Sequence, residues 1–399
     1  MAIGTPFHAR TAPLCSSHAW RRWSGYHVAS SYGDFVPPEY AAIRNAAAVI
    51  DVSPLYKYEV SGADAAALLD RVVTHHVARM APGQVLYTPW CDRDGKVRQE
   101  GTVFRLDEER FLLHAAEPAG AWVGESARGL RVAIEDRSRA LAALAIQGPT
   151  SRDLLGALAD DGEIAALRFF RLRETRLGGV PAIVSRTGYT GDLGFEVWVD
   201  AQSALALWDA LAAEGRRFGL TPCGLLALDI ARLEAGFVLV NVDYVSVETA
   251  RVRGDAVSPY VLGLGWAVKL DKGPFTGREA LAAEKRNGTS RRVVGLEVPW
   301  PPIETLYLGQ AGMMPDLPLL ACRDPVPVYA PSTGRQIGRA TTRVWSTLLK
   351  KYVAIATVDD EWAAPGTEVS LEMTVHWQRR TVPARVAATP FFRPDRARA

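Results

Sequence analysis

No stretch of this 399-residue chain approaches the ~20 consecutive apolar residues of a membrane-spanning helix. The N-terminal segment MAIGTPFHARTAPLCSSHAW also lacks the apolar core of a secretion signal. Membrane insertion and export are therefore set aside, and a cytoplasmic location is expected. An excess of one charge is missing too. The 46 Lys and Arg stand against 44 Asp and Glu, a formal charge of +2, which gives no broad field for nucleic acid or an anionic membrane. Selectivity has to reside in a local site. Cys15, Cys91, Cys223 and Cys322 are scattered, with no C-x-x-C spacing, which suits a reducing cytosol better than a disulfide framework, and no cysteine is assigned to catalysis. Among seven histidines, His75, His76 and His114 draw attention, yet neither H-E-x-x-H nor H-x-E with C-x-x-C occurs, and no metal ligands are assigned. Hydrolase and nucleotide-binding motifs are likewise absent. The pair Gly263 and Gly265 opens toward a strand-like GWAVKL rather than a helix, which argues against a dinucleotide fold. No fixed-period repeat points to a solenoid.

What the chain does have is 48% hydrophobic and 23% charged residues, the balance of a globular protein with a large core. Alternation over Leu55 to Val60 predicts a strand, and Ser61 is placed as the cap of a helix running through Leu69. From Gln84 to Ala116, period-two segments around the Asp94-Gly95 and Asp107-Glu108-Glu109 turns predict an antiparallel meander. Residues 181–200 give two β-rich runs around a glycine loop, and Ala204, Leu207, Trp208 and Leu211 then recur at helical spacing. A further helix follows Thr276, with Glu279 in the capping-box position and Gly288 as its stop. Eight prolines between 298 and 331 predict an irregular connection. Beyond it, residues 336–343, 351–358 and 368–388 alternate like antiparallel strands. The expected class is α+β, with residues 1–290 forming a body of antiparallel sheets with helices and 291–399 a β-barrel-like domain. Arg393, Arg396 and Arg398 read as a solvated tail without function.

Three segments carry candidate chemistry. In the strand from Lys96, Glu100 shares a face with Thr102, Phe104 and Leu106, while Gln99 points away with Val103. A carboxylate held among apolar side chains has its pKa raised and can exchange protons with a nitrogen heterocycle; a solvated strand face is the plainer alternative. Arg186 to Trp198 holds Gly188, Gly191 and Gly194 and ends in Glu196. Glycines admit a flat ligand, and a carboxylate accepts two hydrogen bonds from an amino-pyrimidine edge; a tight loop with a surface acid is the alternative. Ala227 to Phe237 reads as a helix stopped by Gly236, with Arg232 and Glu234 as an ordinary structural pair.

In this order the segments resemble the T-protein family of the glycine cleavage system and its tetrahydrofolate-dependent demethylase relatives. The likeness spans most of the chain and includes Ala48-Val49-Ile50-Asp51-Val52-Ser53, Gln147-Gly148-Pro149, the run Arg186 to Glu196, Ala231 to Gly236, Ser258 to Trp266, and Gly277 to Leu281. It implies a folate-binding body followed by a barrel-like domain, with tetrahydrofolate bound in a central cavity. Tyr87, Tyr189 and Glu196 match positions lining the pterin site, Glu196 holding the amino-pyrimidine edge. Glu100 falls on the catalytic aspartate, Phe237 on an aromatic wall, His114 on an asparagine near the folate, and Trp266 on the aromatic of the L-G-W motif. Three departures stand out. Arg98-Gln99-Glu100 replaces I-D-D, Leu228 replaces an arginine expected at the folate's glutamate tail, and Pro54-Leu55-Tyr56 replaces H-M-G. The resemblance therefore implies a methyl transferase or demethylase acting on an O-, S- or N-methyl small molecule. One alternative is a glycine-cleavage-type aminomethyltransferase served by a lipoyl carrier protein. Another is a non-catalytic folate-binding protein.

Overall fold

The computed structural model describes residues 2–160, 162–312 and 314–398. Two compact units make up the chain. The first comprises Met1–Leu228, Ala267–Arg278 and Pro394–Ala399, the second Asp229–Trp266 and Glu279–Arg393.

The first unit is built on two large sheets. One is antiparallel, in the spatial order Val85–Cys91, Val97–Arg105, Arg110–Ala115, Tyr56–Ser61 and Ala133–Asp136. Its first three strands are the meander expected between Gln84 and Ala116. The turns form for local reasons. Asp92 Oδ1 accepts from the amides of Asp94 and Lys96 at 3.0 and 2.9 Å, and Gly95 supplies the left-handed φ of 71°. The other sheet runs Leu172–Leu177, Val180–Ser185, Gly194–Asp200, Leu141–Gln147, Ala47–Asp51 and Leu220–Pro222, with the last strand parallel to its neighbour.

Alternation gives each sheet two chemically different faces. Phe195, Val197 and Val199 pack with Leu144 and Ile146 against the helices Ser151–Leu158 and Ala204–Gly215. Val103, Phe111 and Leu113 pack against Ala65–Val72 and Gly120–Ser126. The remaining faces of the two sheets meet each other. There the His114 and Trp198 rings stack at 4.1 Å and 16°, and Phe104 meets Trp198 edge-on at 5.8 Å. Lys57, Thr102, His114 and Glu196 therefore lie on the sides where the sheets meet, and the helices lie outside.

Two expectations for this unit are corrected. Ser61 caps no helix; it ends its strand, and the helix begins only at Ala65. Asp64, flanking that helix, spends its carboxylate on the amide of Arg131 at 2.8 Å rather than on a cap. Nor is the arginine-rich tail solvated throughout, because Arg396 is bound to Asp192 and to the carbonyl of Arg44.

The second unit centres on a closed barrel in the order Arg291–Val298, Lys351–Asp359, Gln336–Ser346, Val326–Tyr329, Glu368–Val375 and Gln378–Ala387. Closure leaves no unpaired strand edge. Leu296, Val328, Ile337, Ala354, Leu371 and Val386 fill its interior. The proline-dense connection is corrected as well, since Trp300–Ala311 is a helix. Pro301 and Pro302 fall in its first turn, where an amide has no intrahelical partner to lose, and Gly312 ends it at φ 62°. Residues 265–267 form a 3₁₀ turn instead of a strand.

Arg232 and Glu234 each reach partners elsewhere in the second unit. Arg232 Nε donates to Asp229 Oδ1 at 2.8 Å, Nη1 to Asp243, and Nη2 to Thr342 Oγ1 at 2.9 Å. Glu234 accepts from Ser346 Oγ at 2.6 Å. These buried ionic contacts tie the segment 229–243 to the barrel wall, where Thr341 and Thr342 hydroxyls both donate to Asp243 Oδ1 at 2.7 Å.

Candidate functional site

The register of the five-stranded sheet sets Tyr87, Thr102, His114 and Lys57 directly opposite one another, hence on one face. Glu100 stands two residues from Thr102 on that face and is half-buried. Gln99 points the other way, buried, its amide donating to the carbonyl of Pro118 at 3.0 Å. Gly101 is required by close approach, because a Cβ there would lie 1.9 Å from the carbonyl oxygen of His114.

His114 is buried between Phe104 and Trp198, and its Nδ1 lies 3.1 Å from Thr102 Oγ1. Burial first, and then the nearby Lys57 charge, push its pKa down to about 3, so the ring is neutral. Its Nε2 has no hydrogen-bond partner among the described residues. Lys57 is saturated: Nζ donates to the carbonyls of Ser53, Leu55 and Ser138 at 2.6, 2.8 and 3.2 Å. Burial pulls its pKa to about 8, opposed by Asp51. With three donors engaged, Lys57 braces the sheet and has none left for a ligand.

On the facing sheet, alternation puts Glu196 and Trp198 on the same side of Gly194–Asp200. Glu196 Oε2 accepts from Thr187 Oγ1 at 2.7 Å, and the Thr187 hydroxyl also lies 2.7 Å from that of Ser185. Burial raises the carboxyl's pKa, and the Thr187 hydrogen bond opposes the rise. The adjoining loop wraps the amide of Gln147. Its Nε2 donates to the carbonyls of Thr187 and Phe195 at 3.3 and 3.0 Å, and its Oε1 accepts from Thr190 at 2.8 Å. Tyr189 sits half-buried in this loop.

The structure thus brings Tyr87, Glu100 and His114 onto one sheet face, sets Glu196 on the face that meets it, and holds Tyr189 in the loop beside Glu196. Phe237 and Trp266 belong to the second unit, 37% and 55% exposed, with Phe237 following the left-handed Gly236. Sequence reasoning gave no role to Trp198, Thr187 or Lys57. Trp198 was within reach of it, being two residues beyond Glu196 on one strand. Lys57 was not, since its partners are backbone carbonyls. His75 is partly buried and unprotonated by the same physics as His114, its pKa pushed to about 4 by burial and by Lys269. Among the described residues no group of His, Cys, Asp and Glu is arranged to hold a metal ion, and no helix is long and apolar enough to cross a membrane.

One unit with two facing sheets that carry carboxylates on their shared side, and a second unit with a closed six-stranded barrel, define an α+β protein. Residues 7–272 match the GCVT N-terminal domain and residues 311–393 the glycine cleavage T-protein C-terminal barrel domain, so the chain belongs to the glycine cleavage T-protein family. An aminomethyltransferase of Symbiobacterium thermophilum is 35% identical over 386 residues, 94% of each chain. That of Bacillus subtilis is 33% identical, covering 90% of this chain and 91% of its own. A trimethylamine-oxide aldolase of Ruegeria pomeroyi is 32% identical across the whole chain, which spans 48% of that longer protein. The crystal structure of glycine cleavage system aminomethyltransferase T from Bartonella henselae shares the fold, with a TM-score of 0.81 over 98% of both chains at 23% identity.

Proposed function

We propose that this chain transfers a one-carbon unit, as a methyl group, from an O-, S- or N-methyl small molecule to N5 of tetrahydrofolate, which serves as the second substrate. The observation that carries this reading is the pair of carboxylates on the two facing sheets. Glu196 is desolvated and orientated by Thr187, and Glu100 is half-buried opposite. A desolvated carboxylate with acceptor capacity to spare suits the paired N–H donors of an amino-pyrimidine edge. Tyr87 and Tyr189 supply flanking aromatic surface. Phe237 and Trp266 remain, by the family resemblance alone, further aromatic candidates for folate contact.

In the proposed step the N5 lone pair attacks the methyl carbon, and the carbon–heteroatom bond breaks with its electrons staying on the leaving group. The N5 proton is lost while the leaving group gains one, so the reaction is balanced without an oxidant. Glu100 carries that proton. Holding both substrates between rigid sheets supplies the proximity contribution. The name of the Ruegeria pomeroyi relative, which acts on trimethylamine oxide, supports an N-methyl donor. The names of the other relatives favour a second reading, transfer of an aminomethyl group, for which the family resemblance implies a lipoyl carrier and release of ammonia. Leu228 and Pro54 weigh against it. A non-catalytic folate-binding protein would retain Glu196 and tolerate the exchange at Glu100.

Calorimetric titration with tetrahydrofolate tests the reading, followed by mass spectrometry of the folate after incubation with pooled methoxy, methylthio and methylamine compounds. A methylated folate establishes the transferase and names its donor class. Binding without product leaves the non-catalytic reading, and no binding removes folate altogether. In Glu100→Gln, turnover should fall by at least about a hundredfold with folate affinity near normal, the scale of a lost acid–base group. Unchanged turnover removes Glu100 from proton handling.

A further inference from the structure

The loop that carries Tyr189 is secured twice. On its inner side it wraps Gln147, as described above. On its outer side the buried carboxylate of Asp192 lies between two guanidinium groups. Arg396 meets it in two parallel contacts, Nε to Oδ1 at 2.6 Å and Nη2 to Oδ2 at 3.0 Å, and the same Nη2 donates to the carbonyl of Arg44 at 3.1 Å. Arg44 Nη1 donates to Asp192 Oδ2 at 3.3 Å and to the carbonyl of Thr190 at 2.9 Å. Contacts also run back to the Arg396 segment. Arg186 Nη2 donates to the Arg396 carbonyl at 3.4 Å, and the Arg398 guanidinium lies over the Phe169 ring at 5.6 Å.

We propose that Pro394–Arg398 is a strap that holds the glycine loop in its ligand-binding form, with Arg396 as a positioning residue for Tyr189. The argument is geometric. A loop with Gly188, Gly191 and Gly194 has many backbone conformations open to it and needs fixed points to select one. A fork-to-carboxylate contact fixes the plane of Asp192 as well as its distance, and the burial of Asp192 reduces screening by salt even though Arg396 is 38% exposed. Through Arg44 the same carboxylate is linked to the Thr190 carbonyl, one residue from Tyr189. Removing Arg396 does not strand the Asp192 charge, because Arg44 remains beside it. The expected consequence is a looser loop in a protein that still folds.

The role in ligand binding rests on the tetrahydrofolate reading above, so the test includes a measurement independent of it. In Arg396→Met, amide hydrogen exchange across residues 187–195 should accelerate by about tenfold or more, with exchange in the barrel strands unchanged. The dissociation constant for tetrahydrofolate should rise by about fivefold or more, while kcat at saturating folate stays within about twofold. Arg396→Lys keeps the charge but not the fork and should recover only part of both losses. Unaltered exchange in the loop of a folded Arg396→Met protein overturns the strap, whatever the ligand. Faster exchange with unchanged folate affinity overturns its positioning role. If the unmodified protein binds no tetrahydrofolate, the functional reading fails alone and the exchange experiment still decides the strap.

Discussion

His114 shows how burial sets the chemistry of one residue. Its folded pKa of about 3 lies below the ordinary histidine value of 6.5, so the folded state binds fewer protons than the unfolded state between those limits. Stability is complete above pH 6.5 and falls as the pH drops through that window, by an amount on the order of 5 kcal/mol for the full shift. His114→Asn removes this titration. The variant should lose about 1 kcal/mol at pH 7 through the missing stack on Trp198, yet show a shallower acid limb. Urea midpoints at pH 7 and pH 4.5 decide it. An equal loss in both proteins on acidification would show that His114 does not drive acid unfolding; His75, with its pKa of about 4, titrates in both and cancels. None of this was visible in the sequence, where His114 is one polar residue in an apolar strand. The desolvation comes from Phe104 on the neighbouring strand and Trp198 on the other sheet.

At the scale of elements, the glycine loop was legible and the packing reason for its glycines was not. Glycine there suggests close approach of a ligand, but Gly188 and Gly194 already make room for Gln147, whose Oε1 would lie 2.1 and 2.2 Å from a Cβ at either position. Gln147 cannot swing aside without releasing Thr187, Thr190 and Phe195. Gly188→Ala should therefore cost about 3 kcal/mol by overpacking and lost hydrogen bonds. The same substitution in a Gln147→Ala background should cost clearly less. Additive losses in urea unfolding would mean the two residues are not in conflict. Strands were the easier elements to read, because alternation in Val97–Arg105 follows directly from its two unlike faces. The helix Trp300–Ala311 was hidden, since prolines that break a helix interior are harmless in its first turn. The Arg396 clamp was hidden too, because a cationic segment rich in small and polar residues reads as solvated until its buried partner is known.

Across the whole molecule, the α+β class and the barrel followed from the sequence, as did the shared face of Glu100, Thr102 and Phe104, because each depends on period-two patterning within a short window. What patterning could not supply was the meeting of the two sheets, which depends on contacts between residues far apart in the chain. That meeting desolvates Glu196 and, on the proposed reading, couples folate binding to loss of a proton. Burial raises the pKa of Glu196, so the folded ligand-free protein holds a proton there over a pH range where the unfolded chain has lost it, and this contribution to stability declines as the pH rises through that range. A pterin edge that donates to Glu196 favours the ionised form and draws the pKa back down. Binding of tetrahydrofolate should then release a fraction of a proton, most when the pH lies just below the raised pKa. Calorimetry in buffers of different ionisation enthalpy measures that fraction directly. Glu196→Gln, which has an acceptor but no titration, should bind with no proton release and with affinity reduced by about 1.5–3 kcal/mol, the range for a hydrogen bond to a charged group. Proton release that persists undiminished in Glu196→Gln would place the titrating group elsewhere and remove Glu196 from the pterin edge.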